Sequence, residues 1–541
     1  MFTPPRTALV VFLVLAAVHT WPLSGSPATK SLNHNADAEQ WAWTLSWIPH
    51  ALAHQPTRLF DGNIFAPEPR VLALSDPVIV PGVMAIPLRA LGASPVLTFN
   101  LVMLAGLVLT AWAGWLVAWR WTGSSGAAIV TGALVAFNTH LLTRLAHIPA
   151  AHSWGLPLTL YLADRLIGDD RDATQRTYWR DGALLALVIA AVAATSIYTL
   201  AFAGLIVAVV MVCALPRWRA IARIALSSAG GLLLALPALS PYVRLARTGI
   251  TRPLEMVTQF SATPAGYLTS LSHLDAGWTA RFFRDDVNVL FAGVVALLLA
   301  AAGVVSLVSA PAQTRRRGLT LLVLAVAGVW LSFGPATAAY RVLYDWLTPL
   351  RGLRAAARFG YVYLMAVAVA AGIGVAWIER RLPSRRAQRA WCVVALALVT
   401  VEAWSAPIVT VPFKRLPPIY DMVATAAPPV MLVEIPFFPP EAVFENGEYM
   451  LNAAAHWQPV MNGYSGATPD TYRRRTESFW FFPEDWAIDS IVRDGATHVM
   501  VHLERLNATE RADVERALPG RHDLRLVASD AIGHRLYVVE R

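Results

Sequence analysis

The sequence predicts a polytopic α-helical membrane protein of about eleven spans, followed by a small water-soluble α/β domain at the C-terminal end. Three observations point to this class. Hydrophobic residues make up 56% of the 541-residue chain and charged residues 15%, too apolar a balance for a soluble protein of this size. Mostly apolar runs recur from Thr7 to Val409, each long enough for a hydrocarbon core of about 30 Å. Beyond Pro412 the pattern changes to short amphipathic and alternating segments.

Taken in order, the spans are 7–23, 96–118, 126–144, 149–167, 182–198, 200–215, 222–246, 287–309, 318–334, 357–378 and 390–409. Val78–Leu91 is apolar but short, contains Pro81 and Pro87 and carries Arg89, so it is expected to be re-entrant or interfacial. The first run follows Arg6 and has the look of a signal peptide over Ala8–Val18; its full length favours a retained anchor.

The net charge of +9 does not indicate a nucleic-acid binder, because the arginines sit in short connectors. One set of connectors holds Arg120; Arg165, Arg171, Arg176 and Arg180; Arg217, Arg219 and Arg223; Arg315, Arg316 and Arg317; and Arg380, Arg381, Arg385, Arg386 and Arg389. The positive-inside rule assigns this set to the cytoplasm. The long loop 24–95, the loops 247–286 and 335–356, and the domain 412–541 then lie outside, as expected for a bacterial inner-membrane protein. Membrane domain 1–411 and soluble domain 412–541 are the expected division. Cys213 and Cys392 lie in apolar runs and offer neither a disulfide framework nor a zinc site.

In the C-terminal domain Val430–Ile435 and Thr497–His502 read as strands, and Leu524–Ala528 with Arg535–Val539 as a closing strand pair. Ser478–Asp494 reads as helix broken at Pro483, and Ala508–Leu518 as a second helix. No glycine-rich phosphate loop or soluble-cofactor motif is visible.

The first external loop carries the strongest candidates for chemistry. It opens Asn33-His-Asn-Ala-Asp37-Ala-Glu39 and continues through Trp41, Trp43 and Trp47 to Leu59-Phe-Asp-Gly-Asn-Ile-Phe-Ala-Pro67. A carboxylate held at a membrane surface can act as a general base or hold a divalent cation. The tryptophans are expected to anchor the segment at headgroup level. An ordinary alternative is that Asp37 caps a helix and Glu39 is solvated; spacing alone leaves both open.

This plan resembles the GT-C superfamily of membrane glycosyltransferases: one span, a long external loop opening on an acidic motif, many spans and an external domain. Besides Asp37-Ala-Glu39, the stretches Leu59–Pro67, Leu353-Arg-Ala-Ala-Ala-Arg-Phe-Gly360 and Pro459-Val-Met-Asn-Gly-Tyr-Ser-Gly466 resemble a group of bacterial GT-C-like proteins. The Trp-Trp-Asp motif of oligosaccharyltransferases is absent. The resemblance implies that Asp37 is the catalytic base or a metal-associated carboxylate, with Glu39 its neighbour or alternate. It implies a polyprenyl-phosphate or -diphosphate sugar donor, membrane lipids as surroundings, and a divalent cation as the cofactor to test for.

Two cationic clusters complete the set. In Asn138-Thr-His140-Leu-Leu-Thr-Arg144-Leu-Ala-His147, a continuous helix would place His140, Arg144 and His147 on one face, as a phosphate-holding, metal or polar pocket. Arg354 and Arg358 are four apart, one helical turn, and with Arg144 suit a donor phosphate; contact with lipid headgroups is the plainer alternative. Ser196, Tyr198, Tyr464 and the Arg473–Arg475 run are weaker candidates. The function expected is transfer of a sugar from a polyprenyl-linked donor to an external acceptor. The alternatives are a lipid-linked sugar or polymer flippase and a non-catalytic envelope scaffold.

Overall fold

The computed structural model describes residues 4–168, 175–247 and 252–540; Arg171 of the connector series lies outside them. The chain divides into two compact units. The first comprises Met1–Gly25, Pro77–Pro81 and Leu101–Ile408, and the second Ser26–Asp76, Gly82–Asn100 and Val409–Arg541.

The first unit is helical. Ala356–Glu379 lies at its centre and packs against Val294–Ser306 and Ala312–Ser332. Gly303 and Gly374 permit the first of these contacts: a Cβ on either would collide with the backbone carbonyl of Ala370 or Leu299. Small residues at such a crossing let two helices approach closely where apolar burial contributes little. Among the described residues, Pro95–Thr122 and Ala356–Glu379 are each long and apolar enough to cross a membrane. Leu9, Leu13, Leu187, Leu226, Leu298, Leu322 and Val393 point outward from their helices, an apolar exterior suited to hydrocarbon.

Three expected spans are interrupted. The run 222–246 forms Trp218–Leu234 and Leu236–Arg247, bent by 76°. Pro237 and Pro241 in the second piece each lack the N–H that a continuous helix requires. The runs 126–144 and 149–167 become four helices, Ser125–Ala136, Thr139–Leu142, Ile148–Ala151 and Gly155–Leu166. Asn138 starts the second by accepting from the Leu141 N–H, and Pro149 sits at the start of the third, so no helix runs through 143–147.

Among the described connector arginines, Arg165, Arg180, Arg316 and Arg317 find carboxylates. Asp164 receives Arg316 at 2.7 Å and Arg317 at 2.8 Å, while Asp181 receives Arg165 at 2.6 Å and Arg180 at 3.0 Å. Asp164 and Asp181 are both buried, so these ion pairs tie connectors distant in sequence to one end of the unit.

In the second unit a four-stranded sheet is built from β1 (Leu432–Ile435), β2 (His498–His502), β3 (Leu524–Ser529) and β4 (His534–Val539), in the order β1-β2-β4-β3. β1 and β2 are parallel and the other pairs antiparallel. All four strands fall within two residues of where the sequence places them. The helix expected over 478–494 with a break at Pro483 forms two pieces, Asp470–Phe479 and Asp485–Arg493, on either side of Pro483, the first starting earlier than expected. Asn507 forms a capping box with Glu510 at the start of Ala508–Ala517. The helix Ala36–His54 packs on Gly447–His456, bringing the first loop onto the C-terminal domain.

Candidate functional site

In the second unit, three of the stretches singled out in the sequence converge. Asn35 caps the helix Ala36–His54 by accepting from the Asp37 N–H at 2.9 Å, which places Asp37 and Glu39 in its first turn. Asp37 itself is not the cap. Its Oδ1 accepts the Tyr464 hydroxyl at 2.8 Å, and Tyr464 belongs to the 459–466 stretch. The 59–67 stretch pairs with the same segment: the Phe65 N–H donates to Asn462 O, the Ala66 N–H to Val460 O and the Val460 N–H to Asn63 O. Gly463 lies against the Phe65 ring, where a Cβ would come within 2.9 Å of it.

The tryptophans do not serve as headgroup anchors. Trp43 and Trp47 are 2% exposed, and their indole N–H groups donate to Asn63 Oδ1 and Leu59 O. Their side chains hold the loop, because a buried indole needs a polar partner and finds one on the returning chain.

Glu39 is not a solvated surface carboxylate. It lies against Gly447 at the start of the facing helix. Burial, reinforced by the nearby Glu448 and opposed by Arg505, pushes it up to about 8, so it is largely protonated at neutral pH. Arg505 donates to Glu445 at 2.7 Å and sits over the rings of Phe438 and Tyr449. The carboxyl pair therefore splits into an oriented Asp37 and a neutral Glu39.

The Arg473–Arg475 run is divided: Arg473 and Arg474 are exposed and Arg475 is not. Arg475 is buried and donates to Asp494 and to the carbonyl of Ala66, fastening the 59–67 stretch.

In the first unit, Arg354 and Arg358 do not share a helical turn. Arg354 lies in non-helical backbone before the short turn Ala356–Phe359, which contains Arg358. Both are organised by Tyr198. Its hydroxyl oxygen accepts the N–H groups of Arg354 and Ala355 at 2.8 and 3.0 Å, and its ring lies 4.5 Å from the Arg358 guanidinium carbon. The Arg354 guanidinium is 4.7 Å from the Phe260 ring. Stacking engages the face of a guanidinium, whereas forked donation to a phosphate uses its in-plane N–H groups.

His147 Nε2 lies 3.3 Å from an Arg358 nitrogen. His140, by contrast, is fully buried, bonded through Nδ1 to Val289 O at 2.7 Å and edge-on to Tyr361, with no partner for Nε2. The break at 143–147 separates it from His147, so the three basic residues form no single helical face. Arg144 occupies the turn, its carbonyl accepting the His147 N–H.

No protein-family model and no curated protein matches the sequence. Solved structures do. The chain superimposes over 99% of its length on the arabinofuranosyltransferase AftD from Mycobacteria, with a TM-score of 0.61, 16% identity and 41% of that protein covered. It also superimposes over 99% of its length on the oligosaccharyltransferase of Archaeoglobus fulgidus, with a TM-score of 0.51, 12% identity and 74% of that chain covered. The chain has the GT-C fold. It spans less than half the length of AftD.

The sequence marked Asp37, the two arginines, Tyr464 and Tyr198 as candidates, but not the bonds that link them. Tyr464 and Tyr198 each bond to a residue far away in sequence, and no local spacing signals such a partner. Tyr464 lies inside the 459–466 stretch, whereas Tyr198 stood out only as a polar residue in an apolar run.

Proposed function

We propose that the protein is an integral membrane glycosyltransferase that moves a sugar from a polyprenyl-phosphate or -diphosphate donor to an acceptor outside the cytoplasm. The expected eleven spans and the outward placement of loop one and the C-terminal domain belong to this proposal. The observation that carries it is the Asp37–Tyr464 hydrogen bond within a GT-C fold, because it orients a carboxylate of the motif expected to supply the base.

Asp37 deprotonates the acceptor hydroxyl, or positions it through a divalent cation. The hydroxyl oxygen attacks the anomeric carbon as the bond to the lipid phosphate breaks, with inversion the simplest course. Arg354, Arg358 and Arg144 stabilise the charge that collects on the departing phosphate. Protonated Glu39 acts as a hydrogen-bond donor at neutral pH.

Binding of polyprenyl phosphate to the detergent-purified protein tests the donor half of the proposal. Saturable binding that Arg354→Ala/Arg358→Ala weakens at least tenfold is expected. Absence of specific binding by the folded wild type would favour the flippase or scaffold alternative.

A further inference from the structure

Among the described residues, one group of His, Cys, Asp and Glu side chains can share a metal ion: His502, Glu504 and His534, whose candidate ligand atoms all lie within 4.8 Å of one another. The group belongs to the sheet of the second unit and plays no part in the proposed transfer.

Strand register builds it. His502 ends β2 and pairs directly with His534, the first residue of β4. Glu504 lies in the turn Leu503–Arg505 just beyond, drawn back toward β4 by the Leu503 N–H donating to Gly533 O. Glu504 Oε1 is 3.1 Å from His502 Nδ1 and 3.3 Å from His534 Nε2. Ligands about 2.1 Å from a tetrahedral zinc lie about 3.4 Å apart, so both distances from Glu504 to an imidazole are close to the spacing such an ion imposes, and the two imidazole nitrogens lie within 4.8 Å of each other.

The outer nitrogens are held as metal-binding imidazoles require. His502 Nε2 meets Glu434 Oε2 at 2.6 Å, and His534 Nδ1 meets Asp530 Oδ2 at 2.7 Å. Each imidazole therefore has a carboxylate behind it that fixes the ring and raises the basicity of the inward nitrogen. Glu434 is anchored in turn by the Tyr420 hydroxyl, and Asp530 by the N–H groups of Ile532, Gly533 and His534. Both imidazoles are buried while Glu504 is 30% exposed, which gives an ion an entry side and a fourth position for water.

We propose that His502 Nδ1, His534 Nε2 and the Glu504 carboxylate bind one divalent transition-metal ion of the zinc class. The ion clamps the 503–505 turn to β4 and thereby holds Arg505, the residue that pairs with Glu445 and covers Tyr449. The site is structural and stands independently of the transfer reaction.

The test is calorimetric titration of zinc chloride into chelator-stripped, full-length protein purified without a histidine tag, for wild type, Glu504→Gln and His534→Gln. One zinc per wild-type chain is expected, with affinity falling at least tenfold in each variant that remains monodisperse. No saturable binding, or binding that neither substitution changes, would overturn the proposal. X-ray absorption at the zinc edge of wild type decides the case if the variants misfold. Imidazole scattering with nitrogen at about 2.0–2.1 Å supports the site, and its absence refutes it.

Discussion

The hydroxyl of Tyr464 donates a 2.8 Å hydrogen bond to Oδ1 of Asp37, across 427 residues of chain. A carboxylate in the first turn of a helix has several rotamers, and this bond selects one of them. Tyr464→Phe removes the donor and leaves the ring. A hydrogen bond to a charged group contributes about 1.5–3 kcal/mol, so turnover should fall roughly 10- to 100-fold with folding intact. Steady-state transfer kinetics check this, and an unchanged rate would show that Asp37 needs no orientation by Tyr464.

Glu39 makes stability depend on pH with a definite sign. Its carboxyl is raised from 4.5 to about 8, so between those values the folded chain holds a proton that the unfolded chain has released. Stability from this group is present at low pH and declines as pH rises toward 8. Glu39→Gln keeps a neutral side chain and should flatten that decline. Thermal melts from pH 5 to 9 should show the wild type losing several degrees relative to the variant; parallel curves would contradict the assignment.

Tyr198 accepts two backbone N–H groups, from Arg354 and Ala355, with one hydroxyl oxygen. Tyr198→Phe leaves both donors unmet and should cost about 1–3 kcal/mol of stability. It should also weaken polyprenyl-phosphate binding severalfold, since Arg354 loses its fixed backbone. Comparison of melts and binding isotherms checks both effects.

Neighbouring arginines should behave differently. Arg475 is buried and bonds to Asp494 and Ala66 O, whereas Arg473 reaches Thr468 O at 3.5 Å from an exposed position. Arg475→Ala should cost roughly 2–3 kcal/mol, and Arg473→Ala within about 0.5 kcal/mol of nothing. Chemical denaturation of both variants measures the contrast.

These four cases also mark how far the sequence could be read. Every strand of the C-terminal sheet was legible, because short apolar segments rich in β-branched residues stand between turn signals; the first two strands are buried along their whole length. The apolar runs located the helices for the same reason. The break at 235 was less visible, since apolar composition continues through it while Pro237 changes the backbone; the turn after 144 was expected from the spans 126–144 and 149–167. Asp37 and Tyr464 each lay in a stretch singled out in the sequence, but the bond between them was not legible. Asp37–Tyr464, Tyr198–Arg354 and the His502–His534 pair are tertiary facts. For the last of these a local clue did exist: His498 and His502 lie in a strand whose other residues, Val499, Met500 and Val501, are apolar and buried. Polar residues spaced by two or four along such a strand must find partners on neighbouring strands.

The central claim is that Asp37 drives transfer from a polyprenyl-linked sugar. The most direct measurement is release of polyprenyl phosphate from a panel of polyprenyl-phosphoryl pentoses and hexoses, in membranes containing wild type or Asp37→Asn at equal folded amounts. Wild type should release the lipid phosphate from at least one donor. Asp37→Asn should release it at least a thousandfold more slowly while binding the same donor. Equal release by both proteins, or donor crossing the bilayer intact and equally with each, would contradict the account.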